Sequence, residues 1–186
     1  MVTNISKLGI DLCSYYECAG NPNDPKWLKA YLDSGGVWTI GVGTIKYPNG
    51  QAVKKGDTIT PQQRDEYFVF EIKEKVERVN FYARDDIGQQ QFDALVDFAY
   101  NVGTIGLQKS TLLKTVNANL NNKQIVTNFL SWRFDNGKEV GGLIRRRMSE
   151  AYLYFTGKLK YDWVNYKKYS AATVNEVLNE IKKAGA

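Results

Sequence analysis

The 186-residue chain has no histidine, only two cysteines and four prolines. Each shortage removes a class of chemistry. Without an imidazole there is no Ser-His-Asp or Cys-His nucleophilic unit. With two thiols and no histidine, the common three- and four-ligand zinc sites have too few ligands, so neither a metal nor another cofactor is expected. Long apolar runs are missing too. A membrane span needs about 18 consecutive apolar residues, and the opening MVTNISKLGIDLCSYYE interrupts any such stretch with polar and acidic side chains. Membrane insertion, an anchor and a signal peptide are therefore not expected, and synthesis in the cytosol is. Cys13 and Cys18 are five apart, neither a CxxC redox pair nor a disulfide framework. They read as free, packed thiols, with a disulfide open only if the protein works outside the cytosol.

What is present is ordinary for one water-soluble domain: 43% hydrophobic residues, and 25 Lys+Arg against 20 Asp+Glu for a net charge of +5. A chain this long buries roughly 70% of its unfolded surface on folding, so no covalent staple is required. The positive charge suggests an anionic partner: nucleic acid, lipid headgroups or a bacterial envelope.

The first helix is predicted from Ser6 to about Tyr16, with Asn4 or Ser6 as N-cap and Leu8, Leu12 and a tyrosine on one face. Gly20 and Asn21 to Pro25 end it. Paired glycines, β-formers and the Asn49-Gly50 turn then signal a β-hairpin lobe over about residues 30–58, the only strand-rich region expected. Thr60-Pro61-Gln62-Gln63 is a capping box that opens a helix of about five turns with Phe68, Ile72, Val76 and Val79 as its stripe. A second helix carries Phe92, Leu95, Val96 and Ala99 and stops near Gly103; Ser110 caps a third, and a fourth covers about Lys123 to Trp132. After a glycine-rich turn at Gly137 to Gly142, a fifth runs to Gly157, and Val174, Val177, Leu178 and Ile181 mark a terminal one. The order implies an α+β protein: a small β-lobe, a larger helical lobe over about 61–157 and a groove between them as the natural site. Residues 158–186 form a helical extension packed on that 1–157 domain.

With histidine absent, carboxylates are the remaining acid/base candidates. Glu17 ends the first helix beside Tyr15 and Tyr16, aromatic surroundings expected to desolvate it and keep it protonated. Asp33 lies in a polar loop at the hairpin entrance, where it stays ionised. Two carboxylates in contrasting environments are what glycoside hydrolysis requires.

The order Tyr16-Glu17, Tyr31-Leu32-Asp33 and Trp38-Thr39-Ile40-Gly41-Val42-Gly43 resembles the phage-type lysozymes, glycoside hydrolase family 24. The likeness continues through Gln90 to Leu107, Ser110 to Leu113 and Gly142 to Ala151, in matching order over residues 8–157. The resemblance implies a lysozyme-like fold and Glu17 as catalytic acid, Asp33 as second carboxylate and Thr39 as a residue that positions water. It implies inversion, for which carboxyls ~6.5–9.5 Å apart are suited, whereas ~5–5.5 Å suits retention. It also implies that an arginine of the Arg145, Arg146, Arg147 cluster tethers Glu17, and Arg146 is the choice.

For sugar contacts the candidates are Tyr100, Asn101 and Ser110, through ring, amide and hydroxyl; Trp38 and Trp132 read as packing residues. The sequence departs from the family pattern where Thr44 stands in place of the usual His, where Cys18-Ala19 displaces the glycine after Glu17, and in the extension from Lys158. The expected protein is a monomeric muramidase of a phage endolysin. It acts on peptidoglycan after release from the host cytosol by a separate pore, without nucleic acid as partner. Alternatives are a secreted bacterial effector of the same fold, or a non-catalytic module that binds glycan or, through the basic cluster between Lys138 and Lys168, nucleic acid.

Overall fold

The computed structural model describes residues 2, 4–33 and 35–185. Among them are eight α-helices, one 3-10 turn and two antiparallel strand pairs, the α+β arrangement expected. The chain divides into a smaller unit of residues 13–74 and a larger one of residues 1–12 and 75–186.

Helix α1 spans Lys7–Glu17. Ser6 opens it by accepting from the Leu8 amide at 3.1 Å, and is itself fixed by its own N–H, 2.9 Å from Asp93 Oδ1, and by its hydroxyl on Asp93 Oδ2. Leu12 and Cys13 are buried, whereas Leu8, predicted for the same face, is exposed.

In the smaller unit a 3-10 turn at Pro25–Leu28 leads into strand β1 (Tyr31–Leu32), which pairs with β2 (Trp38–Thr39) in the register Tyr31 opposite Thr39 and Leu32 opposite Trp38. Isolated bridges Lys29 to Thr58, Ile40 to Thr44 and Lys46 to Ala52 continue the pairing. The strands are short because left-handed glycines interrupt the ladder. Gly41 has φ +62, and a Cβ there would sit 3.2 Å from Arg64 Cγ, so only glycine fits without strain. Ile40, Val53 and Ile59 form the core of this region, with Trp38, Tyr47 and Tyr67 packed against it. The packing role expected for Trp38 is thus observed. Helix α2 (Pro61–Tyr82) follows with its capping box formed: Gln63 N donates to Thr60 Oγ1 at 3.1 Å and Thr60 N to Gln63 Oε1 at 2.9 Å. All four stripe residues are buried.

The larger unit holds α3 (Gln89–Val102), α4 (Thr104–Lys109), α5 (Thr111–Ala118), α6 (Gln124–Leu130), the β3–β4 hairpin (Phe134–Asp135 and Lys138–Glu139), α7 (Gly141–Thr156) and α8 (Ala171–Lys183). Helix α3 is its axis: residues 91–99 are all buried, and α3 packs on α7, which also meets α6 and α8. Edge-to-face rings of Phe98, Phe129, Trp132 and Tyr154 fill the space between α3, α6 and α7.

Two expectations are corrected here. Helix α4 is an additional helix between Gly103 and Ser110, where none is expected from sequence because six residues are too few for a periodic signal. The glycine-rich turn is a second hairpin, in which Asn136 (φ 47) and Gly137 (φ 76) take the left-handed geometry of a tight two-residue turn. Beyond α7, Trp163 is almost fully buried, its Nε1 donating to Ser149 Oγ and to the Lys160 carbonyl, each at 3.0 Å. Val177 and Ile181 bury the inner face of α8.

Candidate active site

Glu17 is the last residue of α1. The chain turns sharply after it: Ala19 and Gly20 are left-handed (φ 51 and 86), and Gly20 N donates to the Tyr15 carbonyl at 2.7 Å. A non-glycine residue at positive φ costs about 1–2 kcal/mol. The last helical turn, with its partial negative charge, also disfavours an acidic side chain. Helix stability alone does not select this placement. Contrary to the expected desolvation, the Glu17 side chain is exposed and Tyr15 and Tyr16, which stack edge to face at 5.2 Å, do not enclose it.

Asp33 directly follows β1. Its Oδ1 accepts from the Gly35 N–H at 2.8 Å and the Val37 N–H at 2.9 Å, while its own N–H donates to the Val37 carbonyl at 3.0 Å. Two backbone donors therefore fix one carboxylate oxygen. Among the described residues Oδ2 has no hydrogen-bond partner. Thr39, 3% exposed, donates its hydroxyl to the Val37 carbonyl at 3.1 Å. Val37 thus ties both side chains to one loop.

Tyr31 was given no role from sequence, though it stands in the Tyr-Leu-Asp motif. It pairs with Thr39 across the hairpin. Burial raises its phenol pKa, and the neighbouring Cys18, Asp33 and Glu17 push it further up. Cys18, adjacent to Glu17, is a buried free thiol pushed up to about 11, chiefly by burial, with Glu17 adding and Arg64 and Lys26 opposing. Among the described residues, no three His, Cys, Asp or Glu side chains converge as metal ligands, and no helix is long and apolar enough to cross a membrane.

In the larger unit Asn101 is exposed and lines a cleft of about 430 Å³ with Trp132, Phe134, Asp135, Val140 and Leu143. This cleft carries no signal in the sequence, because the β3–β4 hairpin that contributes Phe134 and Asp135 to its lining has no strand alternation. Trp132 packs as expected, its half-buried ring meeting Phe98 at 5.5 Å, and also borders the cleft. Tyr100 is half-buried beside Asn101. Ser110 is a correction: at 2% exposure its hydroxyl accepts from Leu113 N at 3.0 Å and donates to the Leu107 carbonyl at 2.7 Å. It is committed to capping α5 and does not face a sugar. Arg146 is 4% exposed and holds Asp97 with two bonds, Nε to Oδ2 at 3.1 Å and Nη2 to Oδ1 at 2.7 Å. Such burial suits bracing rather than direct contact with a substrate.

The profile described as Phage lysozyme matches residues 26–150. The chain is 35% identical over 159 residues to an endolysin of Bacillus phage B103, covering 84% of this chain and 56% of that one. It is 34% identical over 130 residues to an endolysin of Salmonella phage P22, covering 69% and 87%. It thus spans little more than half the length of the B103 protein. Among solved structures, an endolysin from Escherichia coli O157:H7 phage FAHEc1 has a TM-score of 0.72 at 34% identity over 84% of this chain and 96% of that one. A mutant P22 lysozyme gives 0.70 at 29% identity, over 82% and 99%. Glu17 lies ahead of the matched span, while Asp33, Thr39, Asn101 and Arg146 lie within it, and on these likenesses the chain belongs to the phage lysozyme family.

Proposed function

We propose that this protein is an N-acetylmuramidase that hydrolyses the β-1,4 bond between N-acetylmuramic acid and N-acetylglucosamine in bacterial peptidoglycan, as an endolysin and without a cofactor. The reading is carried by Asp33, whose Oδ1 is fixed by the Gly35 and Val37 N–H groups while Oδ2 is left open among the described residues, since an oriented carboxylate working with an acid is what glycosidic cleavage needs. The relatives named endolysin support it. The net charge of +5 suits an anionic wall.

In this mechanism a protonated Glu17 gives its proton to the glycosidic oxygen as the C1–O bond breaks. Asp33 keeps Oδ1 on the backbone donors of its turn and turns Oδ2 to the positive charge that develops at C1. The Thr39 hydroxyl already donates to Val37, so toward a water its oxygen acts only as acceptor. A water that donates one hydrogen to Thr39 and the other to Asp33 directs its lone pair at C1. Asp33 takes the proton released on attack, and both carboxyls re-equilibrate with solvent. Attack from the face opposite the leaving group inverts C1.

Digestion of purified peptidoglycan by the wild type and Glu17→Gln, with reductive labelling and mass spectrometry of the soluble products, tests this. New N-acetylmuramic reducing ends from the wild type alone are expected. Equal release by both moves the acid elsewhere. No release by either, with retention on the wall, leaves a binding module.

A further inference from the structure

The Asn101 side chain can turn either its carbonyl or its N–H donors toward the cleft, and a buried arginine decides which. Arg147, fully buried on α7, donates from Nη2 to Asn101 Oδ1 at 2.9 Å. The same nitrogen lies 2.6 Å from Glu150 Oε1 in a buried ion pair, and the guanidinium carbon sits 5.0 Å from the Phe98 ring centroid, one helical turn before Asn101 on α3. Ion pair and ring hold the guanidinium in place. Arginine has donors only, so the amide atom facing it is the oxygen. Arg147 is buried and Asn101 exposed, so the other branch of the amide, Nδ2, points outward.

We propose that Arg147 is a positioning residue that locks Asn101 with its N–H donors facing the cleft, and that the cleft thereby selects a sugar acetamido group. Resting on the muramidase reading, this names the group recognised. An acetamido carbonyl accepts from Asn101, whose donors are polarised by the cation behind them. Its N–H finds an acceptor in Asp135, and its methyl an apolar wall in Trp132, Phe134 and Leu143, all lining the same cleft. A hydroxyl in the acetamido position supplies no methyl and no amide dipole.

The test compares binding of tri-N-acetylchitotriose and of cellotriose, which carries hydroxyls in place of acetamido groups, by calorimetry on the full chain. The wild type is expected to prefer the acetylated sugar by about tenfold or more, the equivalent of one well-made hydrogen bond. Asn101→Asp is nearly isosteric and keeps a partner for Arg147, but has no N–H to offer. It is expected to bring the two affinities close to parity while the melting temperature holds. The pair Arg147→Met with Glu150→Gln removes the lock without leaving a buried charge, and an amide free to flip is expected to show an intermediate preference. A merely structural arginine would lower stability without moving this ratio. Wild-type preference retained in Asn101→Asp overturns the assignment, and retained in a folded double variant it overturns the role of Arg147. Displacement of the acetylated trisaccharide by L-alanyl-D-isoglutamine at matched concentration overturns it in favour of a peptide amide. The muramidase reading fails separately, through absence of wild-type cleavage, which leaves the binding ratio readable.

Discussion

Asp33 and Val37 grip each other twice: the Asp33 carboxylate accepts the Val37 N–H at 2.9 Å, and the Asp33 N–H donates to the Val37 carbonyl at 3.0 Å. The side chain proposed to face the substrate is therefore also the clasp of its own loop. These two roles are separable by substitution. Asn retains an acceptor at Oδ1 and loses the negative charge, whereas Ala loses both. Asp33→Asn is expected to melt close to the wild type and to lose activity on peptidoglycan by on the order of 100-fold or more. Asp33→Ala loses comparable activity and in addition about 1 kcal/mol of stability, since the exposed Gly35 and Val37 N–H groups turn to water once the carboxylate is gone, roughly 3 °C in melting temperature for a chain of this size. Turbidity clearance and thermal melts of both variants check this. An Asn variant that retains wild-type activity removes Asp33 from the chemistry.

Thr44 replaces the histidine usual after the Gly-x-Gly of the family pattern, and the structure shows what that leaves behind. The residue is 1% exposed, and its Oγ1 has no hydrogen-bond partner among the described residues. Its backbone is well held, Thr44 N donating to the Ile40 carbonyl at 3.0 Å and Ile40 N to that of Thr44 at 2.8 Å. Valine has the same shape and the same preference for extended backbone. Thr44→Val is thus expected to stabilise the protein by about 1 kcal/mol, because it deletes a buried unpaired hydroxyl. Melting temperature should rise by roughly 2–4 °C. A fall would mean that the hydroxyl is satisfied in solution.

The features legible in the sequence are those whose physics is local. The Thr60 capping box, the buried stripe of α2 and the Asn49-Gly50 turn, where Gly50 N donates to the Tyr47 carbonyl at 2.8 Å, each depend on residues within one turn of helix or hairpin. Asp33 belongs with them, since its clasp closes within four residues. Asn136-Gly137 carried the same turn signal as Asn49-Gly50, but the flanking Phe134-Asp135 and Lys138-Glu139 have no alternation to mark them as strands. Partners distant in sequence were not legible. Of three successive arginines Arg146 is the one expected to tether Glu17, yet Arg146 finds Asp97 on α3 and Arg147 finds Asn101 and Glu150. Ser110 shows a different limit. A serine in a loop suits a sugar contact and an N-cap equally, and only its burial and two short bonds decide for the cap.

Cys18 gives a pH prediction whose sign follows from its environment. Burial pushes its thiol from 9.0 up to about 11, so in the folded protein it keeps its proton where the unfolded chain has lost it. Stability is unaffected below about pH 9. It falls as pH rises from there toward 11, because over that window the folded state binds more protons than the unfolded one. Tyr47, pushed up to about 12 by burial and its bond to Asp57, and other phenols add their own alkaline losses, so the informative quantity is a difference. Cys18→Ala is expected to start less stable, from the lost sulfur packing, and to lose stability less steeply than the wild type between pH 9 and 11. Urea unfolding at half-unit steps across that range measures both slopes. At pH 8 the same shift leaves little thiolate, so modification of Cys18 by a disulfide reagent should be on the order of 100-fold slower than that of a free thiol. Parallel slopes together with fast labelling would place the thiol at its ordinary value and show that the turn after Glu17 opens to solvent. That outcome would bear directly on how firmly the proposed acid is held.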